Sequence, residues 1–310
     1  MELSLLLMQS ILSMALIVAA GWLTVKLGVV RTDQAPILTD FCLYVSCPCL
    51  LLTTFQADFT LDKFHGLLLA TGAGLLMHGI GMAVARLAAR PFGLDGVERG
   101  VLIYPNAGNL LVPLVISLLG GEYVLYSAPI IAVQTVLFWT HYVRLVQPDS
   151  RTDLRQILRN PNILAIGAGL VFFFTDLHLP GVLAQATANL GACLGPVSMF
   201  SIGILMAQIR WREVFGSLRV WLLVLGRLLL IPALFIGAAA LLGAAAWFPG
   251  VREVLLVAAL SSSAPVAVMV CQIAERFGAD SAKASAANVL SMLLSILTMP
   301  VLAGLYQWLC

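Results

Sequence analysis

Apolar residues recur along this chain in runs of about twenty, separated by short polar or basic stretches, from one end to the other. Ten runs fall roughly at 4–25, 37–56, 66–88, 99–119, 126–146, 160–178, 186–207, 219–246, 253–274 and 284–308. Each is close to the ~20 residues that an α-helix needs to cross a bilayer core of about 30 Å. The pattern therefore predicts an all-α polytopic membrane protein with ten transmembrane helices. The fourth run is irregular. Its middle reads Tyr104-Pro105-Asn106-Ala107-Gly108-Asn109-Leu110-Leu111-Val112-Pro113, with two prolines, a glycine and two carboxamides. Pro113 removes a donor and its ring strikes the carbonyl of Asn109, and Gly108 adds backbone freedom. Lipid offers no partner for freed backbone groups, so such a break must be buried in protein or line a watery cavity. A helix broken at mid-membrane is a device of secondary transporters. The competing reading is a kinked span whose Asn side chains bond to neighbouring helices.

Composition sharpens this picture. The 310 residues are 61% hydrophobic and 10% charged, which excludes an ordinary soluble domain. The net charge of +2 gives no ground for a nucleic-acid partner. Glu2 stands where a signal peptide would carry basic residues, so the first run is kept as a span. Cys42, Cys47, Cys49, Cys193, Cys271 and Cys310 lie in or beside apolar runs, without disulfide-framework or zinc spacing. They read as packing residues, and neither metal nor cofactor is expected. The odd-numbered loops carry Lys26 and Arg31; Arg86, Arg90 and Arg99; Arg144, Arg151, Arg155 and Arg159; Arg210, Arg212 and Arg219; and Arg276 and Lys283. The even-numbered loops carry only Lys63 and Arg252. By the positive-inside rule the odd loops are cytoplasmic and both termini lie outside.

The polar stretch 147–159 divides the chain into two five-span halves, 1–146 and 160–310. Pro48 and Pro196 interrupt the second span of each half at matching places. The fourth span of each half opens alike, with Gly96-Val97-Glu98-Arg99 and Gly250-Val251-Arg252-Glu253. A polar break follows in both: Pro105 to Pro113 in one, Ser261-Ser262-Ser263-Ala264-Pro265 in the other. Five is odd, so the halves must be inverted relative to each other. Paired broken helices in inverted repeats point to a mid-membrane binding site.

The run Asn106 to Pro113 is similar to the Asn-x-Gly-x-x-x-x-Pro signature of the auxin efflux carrier family. Asn160-Pro161, Gly195-Pro196-Val197-Ser198-Met199-Phe200-Ser201-Ile202-Gly203, Arg227-Leu228-Leu229-Leu230-Ile231-Pro232 and Ala264-Pro265 extend the resemblance in order along the chain. Asn109 stands where that family usually has an aromatic residue, and Val266 where it often has a second proline. The short central loop looks like bacterial members of the family. The resemblance implies helices 1, 2, 6 and 7 as a scaffold and dimer platform. It implies helices 3–5 and 8–10 as a moving domain, in which the broken helices 4 and 9 cross. It further implies a secondary transporter of small organic anions such as carboxylates, exporting or facilitating by an elevator-like mechanism.

The residue chemistry of the breaks agrees with an anionic substrate. Half-helix N-termini offer unpaired N–H groups and about half a positive charge. The substrate-binding candidates are Asn106, Ala107, Gly108 and Asn109 with Ser261, Ser262, Ser263 and Ala264, whose carboxamides and hydroxyls add neutral donors. Arg227, about two turns into its span, either snorkels to the cytoplasmic interface or has a gating or substrate-attracting role. His78 and His141 are relay candidates or packed hydrogen-bonding residues. Two alternatives remain. A sodium-coupled symporter of the bile-acid type would need acidic residues at the crossover, which are absent from the sequence there. A membrane enzyme would need a catalytic constellation, and His65, His78, His141 and His178 are scattered.

Overall fold

The computed structural model describes residues 2–108, 110–149, 154–207, 211–243, 247 and 250–310, and among them the regular structure is helical. We number the principal helices α1 (Glu2–Lys26), α2 (Thr32–Thr54), α3 (Leu61–Phe92), α4 (Gly96–Ile103), α5 (Leu111–Leu119) and α6 (Gly121–Val146). They continue with α7 (Pro161–Thr175), α8 (Gly181–Met206), α9 (Leu218–Leu241), α10 (Val251–Ser263), α11 (Val268–Arg276) and α12 (Ser281–Leu309). Six of these, α2, α3, α6, α8, α9 and α12, are long and apolar enough to cross a membrane. Helix starts follow local chemistry. Asp95 accepts from the Glu98 N–H while the Glu98 carboxylate accepts from the Asp95 N–H, a reciprocal cap on α4. Asn160 caps α7, whose first residue, Pro161, occupies a position where no N–H is needed.

Proline has two outcomes in the chain. Pro48 does not break its span: α2 runs through it, with a wide π turn at Cys42–Ser46 just before the ring. The sequence alone suggested an interruption there. Pro232 likewise follows a π turn, Gly226–Leu230, within α9. A π turn shifts the hydrogen-bond register and so absorbs the donor that proline lacks. Pro196 lies in the first turn of Leu194–Met206, after an irregularity at Cys193 within α8. Pro105 and Pro265, by contrast, follow helix ends at Tyr104 and Ala264, and Pro113 sits in the first turn of α5.

The helices group into two compact units. One comprises Met1–Leu67, Gly108–Ala128 and Arg155–Ile209. Its tightest seam is between α1 and α8. A Cβ on Gly21 would overlap the Phe200 carbonyl, and one on Gly203 the Val18 carbonyl, so the backbones touch directly. Within the same unit α7 packs on α2, where Phe55 and Phe173 meet edge to face at 6.4 Å. Thr39 and Ser201 share a buried hydrogen bond of 3.1 Å between α2 and α8.

The other unit comprises Leu68–Ala107, Pro129–Leu154 and Arg210–Cys310. Helix α12 is its hub, packing against α4, α9, α10 and α11. Tyr142 lies against Gly100 and donates its hydroxyl to the Val270 carbonyl at 2.9 Å, tying α6 to α11. At the start of α4 the fully buried Glu98 receives both Nε and Nη2 of Arg219, and Lys283 reaches Asp95 at 2.8 Å.

Candidate functional site

The breaks after α4 and after α10 meet inside this second unit. Pro105 and Val266 form an isolated antiparallel β-bridge. The N–H of Asn106 donates to the Pro265 carbonyl at 2.7 Å, and that of Ala267 donates to the Tyr104 carbonyl at 3.0 Å. These bonds flank Pro105 and Val266, which oppose each other as a non-hydrogen-bonded pair. At such a position a proline removes no ladder bond, so the bridge tolerates Pro105 without loss.

The outward-facing backbone groups of that pair are also satisfied. The Pro105 carbonyl accepts from Gln134 Nε2 at 2.7 Å. The Val266 N–H donates to Ser291 Oγ at 3.0 Å, and its carbonyl accepts from Asn288 Nδ2 at 2.6 Å. Side chains of α6 and α12 thus pair with backbone groups that the interrupted helices leave without a ladder partner. Sequence reasoning missed Gln134, Asn288 and Ser291. Their signal was a carboxamide or hydroxyl inside an otherwise apolar run, where polar groups are costly unless used.

Of the sequence candidates, Asn106, Ala107, Ser261, Ser262, Ser263 and Ala264 are buried together in this unit. Gly108 belongs to the other unit, and Asn109 lies outside the described residues. Ser262 and Ser263 donate to the Ala259 carbonyl at 2.9 and 2.7 Å, the usual back-bond of a helical serine. Each hydroxyl proton is committed there, leaving lone pairs as acceptors in this conformation. Ser261 Oγ is buried with no partner among the described residues.

An aromatic and histidine layer backs the α4 break. Tyr104 is fully buried, stacks on Phe138 at 4.5 Å, donates to the Leu137 carbonyl and lies 2.8 Å from His141 Nδ1. His78, also buried, donates from Nδ1 to the Gly74 carbonyl at 2.7 Å. Arg227 does not snorkel: it is 1% exposed, enclosed by protein. The one metal-capable group among the described residues is Asp58, Asp176 and His178 in the other unit. All three are exposed, with His178 and Asp58 3.8 Å apart, the arrangement of a surface ion pair.

The sequence profile of a family described as "Membrane transport protein" matches residues 6–152 and 148–303, nearly the whole chain. The chain belongs to that family. It is the auxin efflux carrier-like family that the motifs around Asn106, Pro196 and Ala264 resemble. A relative from Methanothermobacter thermautotrophicus, named an uncharacterized transporter, is 25% identical over 303 residues, covering 94% of this chain and 96% of its own. Membership makes the protein an integral membrane transporter rather than an enzyme.

Proposed function

We propose that this member of the family is a secondary transporter of small organic anions, carboxylates above all. In this reading ten spans form two inverted five-helix repeats, 1–146 and 160–310, joined by the cytoplasmic linker 147–159, with both termini outside a plasma membrane. The carrying observation is the Pro105–Val266 bridge, in which the broken fourth and ninth spans hold each other through backbone alone. The N-terminus of α11, which begins directly after the bridge, adds a positive backbone dipole beside the polar side chains of the breaks, which suits an anion. Asn106 and the Ser261–Ala264 segment supply the polar lining, with Gly108 and Asn109 beside them in sequence.

Two features support an elevator-like mechanism. Helices 1, 2, 6 and 7 fall in the same compact unit, which also takes in residues 108–128, and most of helices 3, 5 and 8–10 fall in the other. The direct backbone seam at Gly21 and Gly203 suits a stiff scaffold, and the same scaffold would carry a homodimer interface. Proteoliposomes of the purified protein test the reading. Counterflow of labelled mono- or dicarboxylates is the expected result, and its absence across a broad panel sinks the substrate assignment.

A further inference from the structure

Arg227 lies on the π turn Gly226–Leu230, which packs against α4, α10 and α12, the helices that carry or flank the breaks. Its side chain is buried, and neither Nε nor Nη2 has a hydrogen-bond partner among the described residues. Arg227 makes no ion pair among the described residues. His78 lies within reach of its charge, and the Gln134 side chain lies within hydrogen-bonding reach of His78. Water bridging these groups could satisfy donors and acceptors, yet water brings no counter-charge, and an unpaired buried cation is costly.

The unused atoms specify the missing partner. Nε–H and Nη2–H lie on one edge of the guanidinium and donate in parallel. Arg219 uses that same edge in this chain to hold both oxygens of Glu98. A planar two-oxygen anion fits the fork, and a carboxylate fits it best. We propose that Arg227 is a carboxylate-binding residue, its Nε/Nη2 edge clamping the carboxylate of the transported anion beside the helix breaks. This rests on the organic-anion reading of the transporter and adds to it the residue that carries the charge. The neutral polar groups at the breaks then orient the remainder of the substrate, while Arg227 supplies the compensating charge.

The test uses purified full-length protein in detergent at fixed pH, titrated with sodium acetate or sodium malonate against sodium chloride at equal ionic strength. Carboxylate should raise the unfolding temperature saturably, chloride should not, and amide hydrogen exchange of wild type should slow over 226–230 with malonate. Arg227→Lys keeps the charge but loses the fork, and should weaken the apparent affinity about tenfold or more. Arg227→Gln should abolish the saturable shift. Equal stabilisation by chloride, no shift with either carboxylate, a shift retained in Arg227→Gln, or unchanged exchange at 226–230 each overturns the proposal. If Arg227→Gln fails to fold, the wild-type exchange data decide. Carboxylate flux that Arg227→Lys leaves unchanged would sink this inference alone. Carboxylate binding at Arg227 without flux would instead sink the transport reading.

Discussion

Gln134, in the middle of α6, donates its side-chain amide to the carbonyl of Pro105 at 2.7 Å. That bond, with Asn288 on Val266, holds the two sides of the bridge from outside. Gln134→Leu removes this bond and leaves the buried Pro105 carbonyl with the Ala107 N–H at 3.0 Å alone, a loss of about 0.5–1.5 kcal/mol. We expect a lowered unfolding temperature and slowed transport, with Asn288→Leu behaving similarly. The double variant should lose less than the sum, because both amides support one bridge. Strict additivity in thermal unfolding would mean the two breaks are held independently.

Asn106 is buried at the break, and its backbone N–H serves the bridge whatever the side chain, so substitution acts on the carboxamide alone. Asn106→Ala should preserve folding and reduce substrate affinity. One hydrogen bond to a charged ligand is worth roughly 1.5–3 kcal/mol, about ten- to a hundred-fold in affinity. Ordinary transport kinetics in the purified variant would remove Asn106 from the site.

Gly203→Ala places a methyl group against the Val18 carbonyl, where the α1 and α8 backbones touch. Overpacking of this kind costs typically 1–3 kcal/mol. Gly167→Ala on α7 is the control, since a Cβ there meets nothing within 4 Å. The first should lower the unfolding temperature and the second leave it level or raise it. Equal behaviour would show that the seam yields easily.

The breaks were legible because proline, glycine and small polar residues inside an apolar run leave few other structures open. The cap on α4 was not read from the sequence, although Asp95 and Glu98 stand three residues apart at a helix start. Nor were Gln134, Asn288 and Ser291. Each acts on a carbonyl or N–H more than twenty residues away, and one polar residue in a long span has no periodicity that names its partner. Pro48 misled for a local reason. Its effect on the helix depends on whether the preceding turn widens, and Cys42–Ser46 does. Arg227 was read as able to reach the interface because chain position gives depth along a span, but not which face neighbouring helices cover.

Glu98 and Arg219 join the start of α4 to the start of α9, with Lys283 3.4 Å from the same carboxylate. Glu98 is fully buried, so removing either partner disturbs more than a surface pair would. Glu98→Gln and Arg219→Leu should each lower the unfolding temperature, and the double variant should recover part of the loss. High salt should weaken the more exposed Lys283–Asp95 pair more than the Glu98–Arg219 pair. No recovery in the double variant would mean that the two residues act separately.

Transport should persist when sodium is replaced by potassium or choline. A sodium ion at mid-membrane needs oxygens to replace its water, usually with a carboxylate to offset its charge. The α10 break offers Ser261, Ser262, Ser263 and backbone carbonyls, and the Pro105, Pro265 and Val266 carbonyls already accept bonds. The nearest carboxylates along the chain are Glu253, eight residues before Ser261, and Glu275, ten after Pro265. At 1.5 Å per helical residue they lie roughly 12–15 Å away, beyond ligating reach. Arg227 adds fixed positive charge to the same unit, which opposes a cation and suits an anion. Export of one negative charge also gains about 2.3 kcal/mol per 100 mV, so the membrane potential alone can drive efflux. Proteoliposomes loaded with labelled carboxylate provide the check. Flux that vanishes without sodium and returns on its addition would show that carbonyl and hydroxyl oxygens alone hold the ion, and facilitated transport would then be the wrong mechanism.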